Sequence, residues 1–428
     1  MLDISFIRDN QEIVAQKASQ KGYPVDIGAL VKLDNDRRLL QTQIDQLRQE
    51  RNQTASQGRH GDNEQSKGRE IKEKLSKLEA DLKNLEPKYL QMLRSVPNLP
   101  LEDVPIGSSE AENIVVKTVG EPPQFDFKPL SHAQIGETLG LIDKERAAKV
   151  SGSRFAYLKG DLVKLQFALI NFVLSELTSP ELISRLIKDN GLNLKPSPFI
   201  PVLTPALLKT APYEASARLN AEEMTYKVAQ DDLWLNASAE HTLCTMHMNE
   251  IVSVDLLPLR YIGYSTSFRR EAGTYGKDME GILRLHQFDK LEMEVLSDAT
   301  SGLAEHQLLI AVEEHLLSSL GLSYQVVNKC SADIGKPNAH GVDINTWFPS
   351  QNNYRETHTA DYMTDYQARD LKIRIKDNDG KHFVHTNDAT AFALGRIMAA
   401  LVENYQDESG HFAIPEVISS AFRRALAS

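Results

Sequence analysis

Only two cysteines, Cys244 and Cys330, occur in 428 residues, too few for a disulfide framework or a four-thiolate zinc site. His358 and His385 add no paired ligand spacing to them. No apolar run approaches the length needed to cross a bilayer, and the opening "MLDISFIRDNQEIVAQKASQKG" has no apolar h-region. The chain also lacks a basic surplus. A net charge of −11 argues against wholesale electrostatic binding of nucleic acid, although a local basic element could still bind it. Neither the Walker pattern nor the dinucleotide fingerprint is present, so any use of ATP falls to another kind of sheet. These absences predict a soluble, non-secreted, cytoplasmic protein with no membrane partner, and the length predicts two or three domains.

Periodicity is plentiful by contrast. Leu33, Leu40, Leu47 and Thr54 recur every seven residues with Leu30 and Ile44 beside them. After a polar break, "SQGRHGDNEQSKG", the apolar positions Ile71, Leu75, Leu78, Leu82, Leu85, Tyr89 and Met92 alternate spacings of four and three. Two long helices joined by a polar tip predict an antiparallel coiled-coil hairpin over about residues 28–94. Residues 27–94 hold 14 Lys and Arg against 11 Asp and Glu, about +3, leaving about −14 for the rest. Such an arm serves either as a dimerisation rod or as a reach toward a partner. "SVPNLPLEDVPIG" ends it and reads as a domain junction, dividing the chain into residues 1–100 and 101–428.

Further on, "SFRREAGTYGKDMEGILRLHQFDKLEME" runs from Ser267 to Glu294 with Gly273, Gly276 and Gly281 in its middle. Alternation places Leu283, Leu285, Leu291 and Met293 on one face of a returning strand, and Arg284, His286, Phe288, Lys290, Glu292 and Glu294 on the other. Arg269 and Glu271 share a face of the outgoing strand. This predicts a hairpin with a polar face that is either solvated or a nucleotide site. Arg270 points away from Arg269 and suits a surface position, and His286 suits packing. Lys277 and Asp278 meet either an acceptor end or water.

The pieces together resemble the seryl-tRNA synthetases, class II aminoacyl-tRNA synthetases, nearly end to end. "MLDISFIRDN" and the arm match the N-terminal domain of that family, and "GEPPQFDF", "LGLIDKERAAKVSGSRFAYLKGD" and "LPLRYIGYSTSFRREAG" match its linker and core. "GILRLHQFDKLE" resembles the returning strand of class II motif 2, "ALGRIMAALVENYQDESGHFAIPEVI" resembles motif 3, and "PFIPVLTPALLKT" resembles motif 1. The resemblance implies an α+β fold, with the helical arm followed by a catalytic domain whose antiparallel sheet is flanked by helices. It also implies a homodimer, activation of L-serine by ATP with Mg²⁺, and transfer to serine tRNA, with selenocysteine tRNA as a further acceptor by family analogy.

For the site, the resemblance places Arg269 on the α-phosphate with Arg270 and Glu271 beside the nucleotide, Phe288 on adenine, and Arg284 and Arg396 on the outer phosphates. Glu356, with Thr357, His358 and Thr359, completes the ATP site, and Glu356 and Thr359 hold the metal. Arg269, Glu356 and Arg396 are the implied catalytic residues. Serine meets Ser238, Ala239, Glu240, Arg269, Glu292 and Thr390. Several positions depart from the family pattern: Ser238 for threonine, Asn345 for an acid, Asp388 for asparagine, Ala391 for glycine, and Ala360, Tyr362 and Met363 outright. Two other functions fit the same core: a class II enzyme with a non-tRNA acceptor, which would lack the arm, and a non-catalytic paralogue, which would lack Arg269 or Arg396. The arm and both arginines are present.

Overall fold

A computed structural model describes residues 1–56, 62–219, 224–272, 280–378 and 380–419. They form two units, Met1–Leu99 and Pro100–Ser428. In the first, the Asp3 carboxylate accepts from the N–H groups of Ser5 and Phe6 and so starts α1 (Ile4–Asp9). Helix α2 (Gln11–Gln20) follows, then α3 (Ile27–Ser56) and α4 (Asp62–Ser95). The last two run antiparallel: Ile44 packs with Ile71 and Leu75, whereas Leu30 packs with Tyr89 and Leu93.

The seven-residue repeat is only part of their seam. Leu33 and Leu47 are partly buried, and the fully buried stripe on α3 runs through Leu30, Asp34 and Ile44. Asp34 is 0% exposed and faces Arg8 at 3.6 Å and Arg37 at 3.2 Å. The Arg37 guanidinium lies 4.7 Å from the centroid of the Tyr89 ring. A charged residue in the apolar stripe is tolerated because the two arginines supply its counter-charge. Exposed pairs higher on the arm, Arg48–Glu79 at 2.8 Å and Lys67–Glu50 at 2.9 Å, sit in water and add little.

The second unit is built on an eight-stranded sheet. Its strands are β1 (Ile114–Val119), β2 (Ile200–Leu203), β3 (Leu259–Phe268), β4 (Gln287–Ser297), β5 (Tyr324–Asn328), β6 (His340–Phe348), β7 (Asn353–Thr364) and β8 (His385–Ala393). The spatial order is β1-β5-β6-β7-β8-β4-β3-β2, antiparallel throughout except for β2 against β3. One face carries Ile262, Leu291, Met293, Val295, Ala389 and Ile344. That face packs on α5 (Asp161–Leu177), α6 (Pro180–Asp189), α7 (Gly302–Ser319) and α8 (Leu394–Asn404). Among the described residues no single helix is long and apolar enough to cross a membrane; α5 and α6 are a bent pair packed in this core.

Because side chains alternate along a strand, the other face receives Lys290, Glu292, Glu294, Asp361, Asp388 and Thr390. It is neither solvated nor regular over the span the alternation suggests. Strand β3 stops at Phe268, one residue before Arg269, and β4 begins only at Gln287, so Leu283 to His286 lie outside the strand as bent, irregular backbone. From Lys290 to Ser297 every residue of β4 is buried.

The buried charge at Asp34 has a testable cost. Asp34→Ala removes the partner of two part-buried arginines and should destabilise the helical unit by about 1–3 kcal/mol in urea unfolding followed by circular dichroism. An unchanged midpoint would mean that the three charges are solvated.

Candidate active site

Arg269 is fixed although it has left the strand. Its N–H donates to His286 O over 2.9 Å, its Nε donates to Ala237 O over 3.1 Å, and the His286 ring reaches back to Arg269 O at 2.9 Å. The guanidinium then lies 5.3 Å from the Phe288 ring centroid. Glu271 has φ +52°, a left-handed conformation costing a non-glycine residue on the order of 1 kcal/mol, and Arg284 donates to its carboxylate over 2.7 Å. Gly273, Gly276, Lys277 and Asp278 lie outside the described residues. Gly281 has a steric task. Its φ is +59°, and a Cβ there would lie 1.9 Å from Nε2 of His132. That ring accepts the Ile282 N–H over 3.3 Å and is held by Glu403 at 2.7 Å. Gly395 likewise lets α8 approach, since a Cβ would lie 2.7 Å from Ile282 O.

The result is a cleft with about 100 Å³ of free volume, lined by Arg269, Glu271, Arg284, Phe288, Lys290, Glu356, Thr357, Thr359, Thr390 and Arg396. Arg396 donates to Glu356 twice, to its carbonyl at 2.8 Å and its carboxylate at 2.9 Å. Partial burial opposes the charge on Glu356, but Arg396 and Lys329 lower its pKa overall; because the carboxylate is half-exposed, screening limits the shift. Lys329 itself sits 3.3 Å from Asp343.

Beyond Phe288 the cleft becomes buried. Lys290 donates to Ser238 Oγ over 3.0 Å, pairs with Glu292, and stands 3.9 Å from Glu240. Ser238 and Ala239 precede the short helix Glu240–Leu243, and the Ser238 N–H is tied to Asn236 Oδ1 at 3.0 Å. Burial opposes the charge on Glu240, yet Lys290, His241 and Arg218 together hold its pKa well below the ordinary carboxylate range. Burial instead pushes Glu292 well above that range despite Lys290. Thr390 pairs in register with Glu292 across β8 and β4.

Two expected residues are not brought here. Arg270 is exposed, 5.9 Å from the Tyr226 ring centroid. His358 pairs with Ile344 on β6 and lies on the apolar face, its ring 5.9 Å from that of Phe392; burial lowers its pKa to about 3, leaving it neutral. Lys290 was placed on the polar face by alternation, two places from Phe288 and two from Glu292, but was given no role there. Lys329 and Arg218, which the sequence did not single out, had no legible signal: Arg218, which pairs with the buried Asp388, is 170 positions away from it.

An antiparallel sheet carrying such a cleft on its polar face defines a class II aminoacyl-tRNA synthetase core, and residues 226–405 match the family "tRNA synthetase class II core domain (G, H, P, S and T)". Residues 1–100 match "Seryl-tRNA synthetase N-terminal domain". The "Serine--tRNA ligase" of Thermodesulfovibrio yellowstonii is 36% identical over 98% of each chain. The crystal structure of seryl-tRNA synthetase from Pyrococcus horikoshii complexed with ATP is 36% identical, with a TM-score of 0.86 and 98% of each chain covered. The cytoplasmic serine-tRNA ligase of Naegleria fowleri in complex with AMP is 27% identical, with a TM-score of 0.81, 99% of this chain and 97% of that one being covered. The chain belongs to the seryl-tRNA synthetase family.

Burial of so many acids sets a pH dependence. It raises Glu292, Glu294 and Glu313 well above the ordinary range, and Asp343 and Asp388 to about 7. An acid raised on folding stabilises fully below its unfolded pKa of roughly 4, and that contribution is lost as pH climbs through the folded value. The thermal midpoint of the ligand-free protein should therefore fall by about 3 °C or more between pH 5.5 and 8.5. Glu313 lies on α7 behind the sheet, so Glu313→Gln should flatten that slope; a midpoint that rises with pH would contradict this assignment.

Proposed function

We propose that the chain is an ATP-dependent serine--tRNA ligase that forms seryl-adenylate and passes the seryl group to the 3′ end of serine tRNA, with selenocysteine tRNA as a further acceptor by family analogy. One observation carries this reading: Arg269, Arg284, Arg396 and Phe288 line a single cleft whose inner end is the buried Lys290, Glu292, Glu240 and Ser238 cluster. Phosphoryl-type transfer is largely positioning and neutralisation of charge, which guanidinium groups supply. Phe288 receives adenine, Arg269 the α-phosphate, and Arg284 and Arg396 the outer phosphates; in binding, the last two turn from Glu271 and Glu356 toward the nucleotide.

Serine is held at its ammonium group by Glu240 and Ser238 and at its hydroxyl by Glu292 and Thr390. Its carboxylate is already ionised, so an oxygen attacks the α-phosphorus without a general base and pyrophosphate leaves. A hydroxyl of the terminal adenosine of tRNA then takes the seryl group, and AMP leaves. Among the described residues no cluster of three or more His, Cys, Asp or Glu could cage an ion alone. Glu356 and Thr359 offer the hard oxygen donors that a Mg²⁺ shared with the phosphates takes, and the ion would neutralise charge on the leaving pyrophosphate.

The helical unit, about residues 1–100, is the tRNA-binding part, with residues 101–428 catalytic. A coiled-coil arm with a local positive excess suits the backbone of a long variable arm, read by shape rather than base sequence. Exposed apolar side chains on the edge strand β2, Ile200 and the 82% exposed Leu203, favour a two-fold dimer through this motif 1 segment. Sedimentation at about twice the 47.9 kDa chain is expected, and a monomer at micromolar concentration would exclude the dimer. The enzyme acts where its tRNA is, in the cytoplasm.

Arg269→Ala should lower serine-dependent ATP–pyrophosphate exchange by about 10² to 10³, roughly 3 to 4 kcal/mol of lost charge stabilisation. Unchanged exchange from the folded variant would refute the phosphate assignment. Replacing Leu30 to Met92 with a short Gly/Ser linker should preserve exchange while charging of serine tRNA collapses; full charging would remove the arm from tRNA binding.

A further inference from the structure

The polar face of the sheet has a second tier beyond the serine positions. Asp388 pairs in register with Glu294 on one side and Asp361 on the other, two places along from Thr390 and Glu292. At about 3.4 Å per residue this tier lies roughly 7 Å further from Phe288. Glu294 is 0% exposed, and neither carboxylate oxygen has a hydrogen-bond partner among the described residues. One oxygen of the buried Asp361 is in the same state. Arg218 is the cation present: it pairs with Asp388 through one end of its guanidinium, and its charge favours ionised Glu294 without a hydrogen bond to it. Tyr261, paired with Glu294 across β3, and the apolar cluster of Leu243, Leu296 and Leu371 close this end against water.

Native proteins pair nearly all buried polar atoms, so the orphaned Glu294 oxygens mark a position for a ligand donor. Serine does not supply it: its hydroxyl is neutral, donates once, and is already matched by Glu292 and Thr390. Five acids, Glu240, Glu292, Glu294, Asp361 and Asp388, stand beside two cations, Lys290 and Arg218, and burial opposes the charge on Glu292, Glu294 and Asp388. The missing element is a positive charge with several N–H groups.

We infer that the amino-acid end of the cleft admits a small L-α-amino acid whose side chain ends in an ammonium group, 2,3-diaminopropanoate or its one-carbon-longer homologue 2,4-diaminobutanoate, as a substrate beside serine. The inference rests on the amino-acid end proposed above. The first compound replaces the serine hydroxyl with an ammonium of similar size; the second reaches toward Glu294. Burial, and Asp388 beside it, oppose the charge on Glu294, and an arriving cation stabilises its ionised form. Activation is the same step as for serine: a carboxylate oxygen bonds to the α-phosphorus as the bond to pyrophosphate breaks, and the side-chain ammonium keeps its protons.

The test uses the full-length protein in two measurements. Titration calorimetry with each diamino acid, serine and 2-aminobutanoate is run with a non-hydrolysable ATP analogue, and pyrophosphate exchange is run with ATP. At least one diamino acid should bind within about tenfold of serine, and 2-aminobutanoate should not. In Glu294→Gln, which keeps the volume, the ratio of diamino acid to serine affinity should fall at least tenfold. Serine binding and exchange without any diamino acid binding would overturn the inference and leave the serine reading standing. Equal weakening of both ligands in Glu294→Gln would also overturn it, as a merely structural effect. Diamino acid exchange without serine exchange would uphold the inference and refute serine as the substrate, and absence of binding by all of them would refute both.

Discussion

Lys290 donates to Ser238 and pairs with Glu292 from a position only 6% exposed, with Glu240 at 3.9 Å. Removing an ammonium and two carboxylates from water costs several kcal/mol per ion, and their mutual attraction offsets this only when the geometry is fixed. The sheet provides that fixity: β4 lies between β3 and β8, so its backbone is paired on both sides throughout the buried run. As a stability device an apolar core of equal volume would serve as well. The arrangement makes sense as a receptor for a zwitterion, whose ammonium needs Glu240 ionised and whose side chain needs a buried acceptor.

The same strand divides the labour of the cleft. From Phe288 to Glu294 every second side chain lies on the polar face, passing from a ring and a cation that line the cleft to two buried acids. Cross-strand partners extend each step: Thr390 beside Glu292, then Asp388 beside Glu294. Outside the sheet, contact distances do the positioning. Gly281 and Gly395 bring the segment at Ile282 and the start of α8 close enough for Arg284 and Arg396 to share one cleft.

Much of this was legible in the sequence, for a physical reason in each case. Period two exposed the polar face of β4 because strand side chains alternate without exception between bulges, and spacings of three and four exposed α3 and α4 because their seam is local. Charge burial was not legible. Asp34 reads as an ordinary surface residue until Arg8 and Arg37 close on it, and Arg218 meets Asp388 only through the tertiary fold. His358, grouped with Thr357 and Thr359 by the resemblance, faces the apolar side of the sheet, where the irregular register between Ile344 and Asn345, opposite Thr357, turns the side chains of β7. Arg269 and Glu271 share the cleft although neither is on a strand.

If Lys290 organises the amino-acid end, its removal should damage recognition of the aminoacyl part and spare the nucleotide. The most direct measurement is the dissociation constant of a non-hydrolysable seryl-adenylate analogue, compared with that of ATP, in the native protein and in Lys290→Met. The account predicts at least about a hundredfold weakening for the analogue, some 2.7 kcal/mol, with ATP changed by less than about threefold. Equal affinity of both proteins for the analogue, or an equal loss for both ligands, would contradict it.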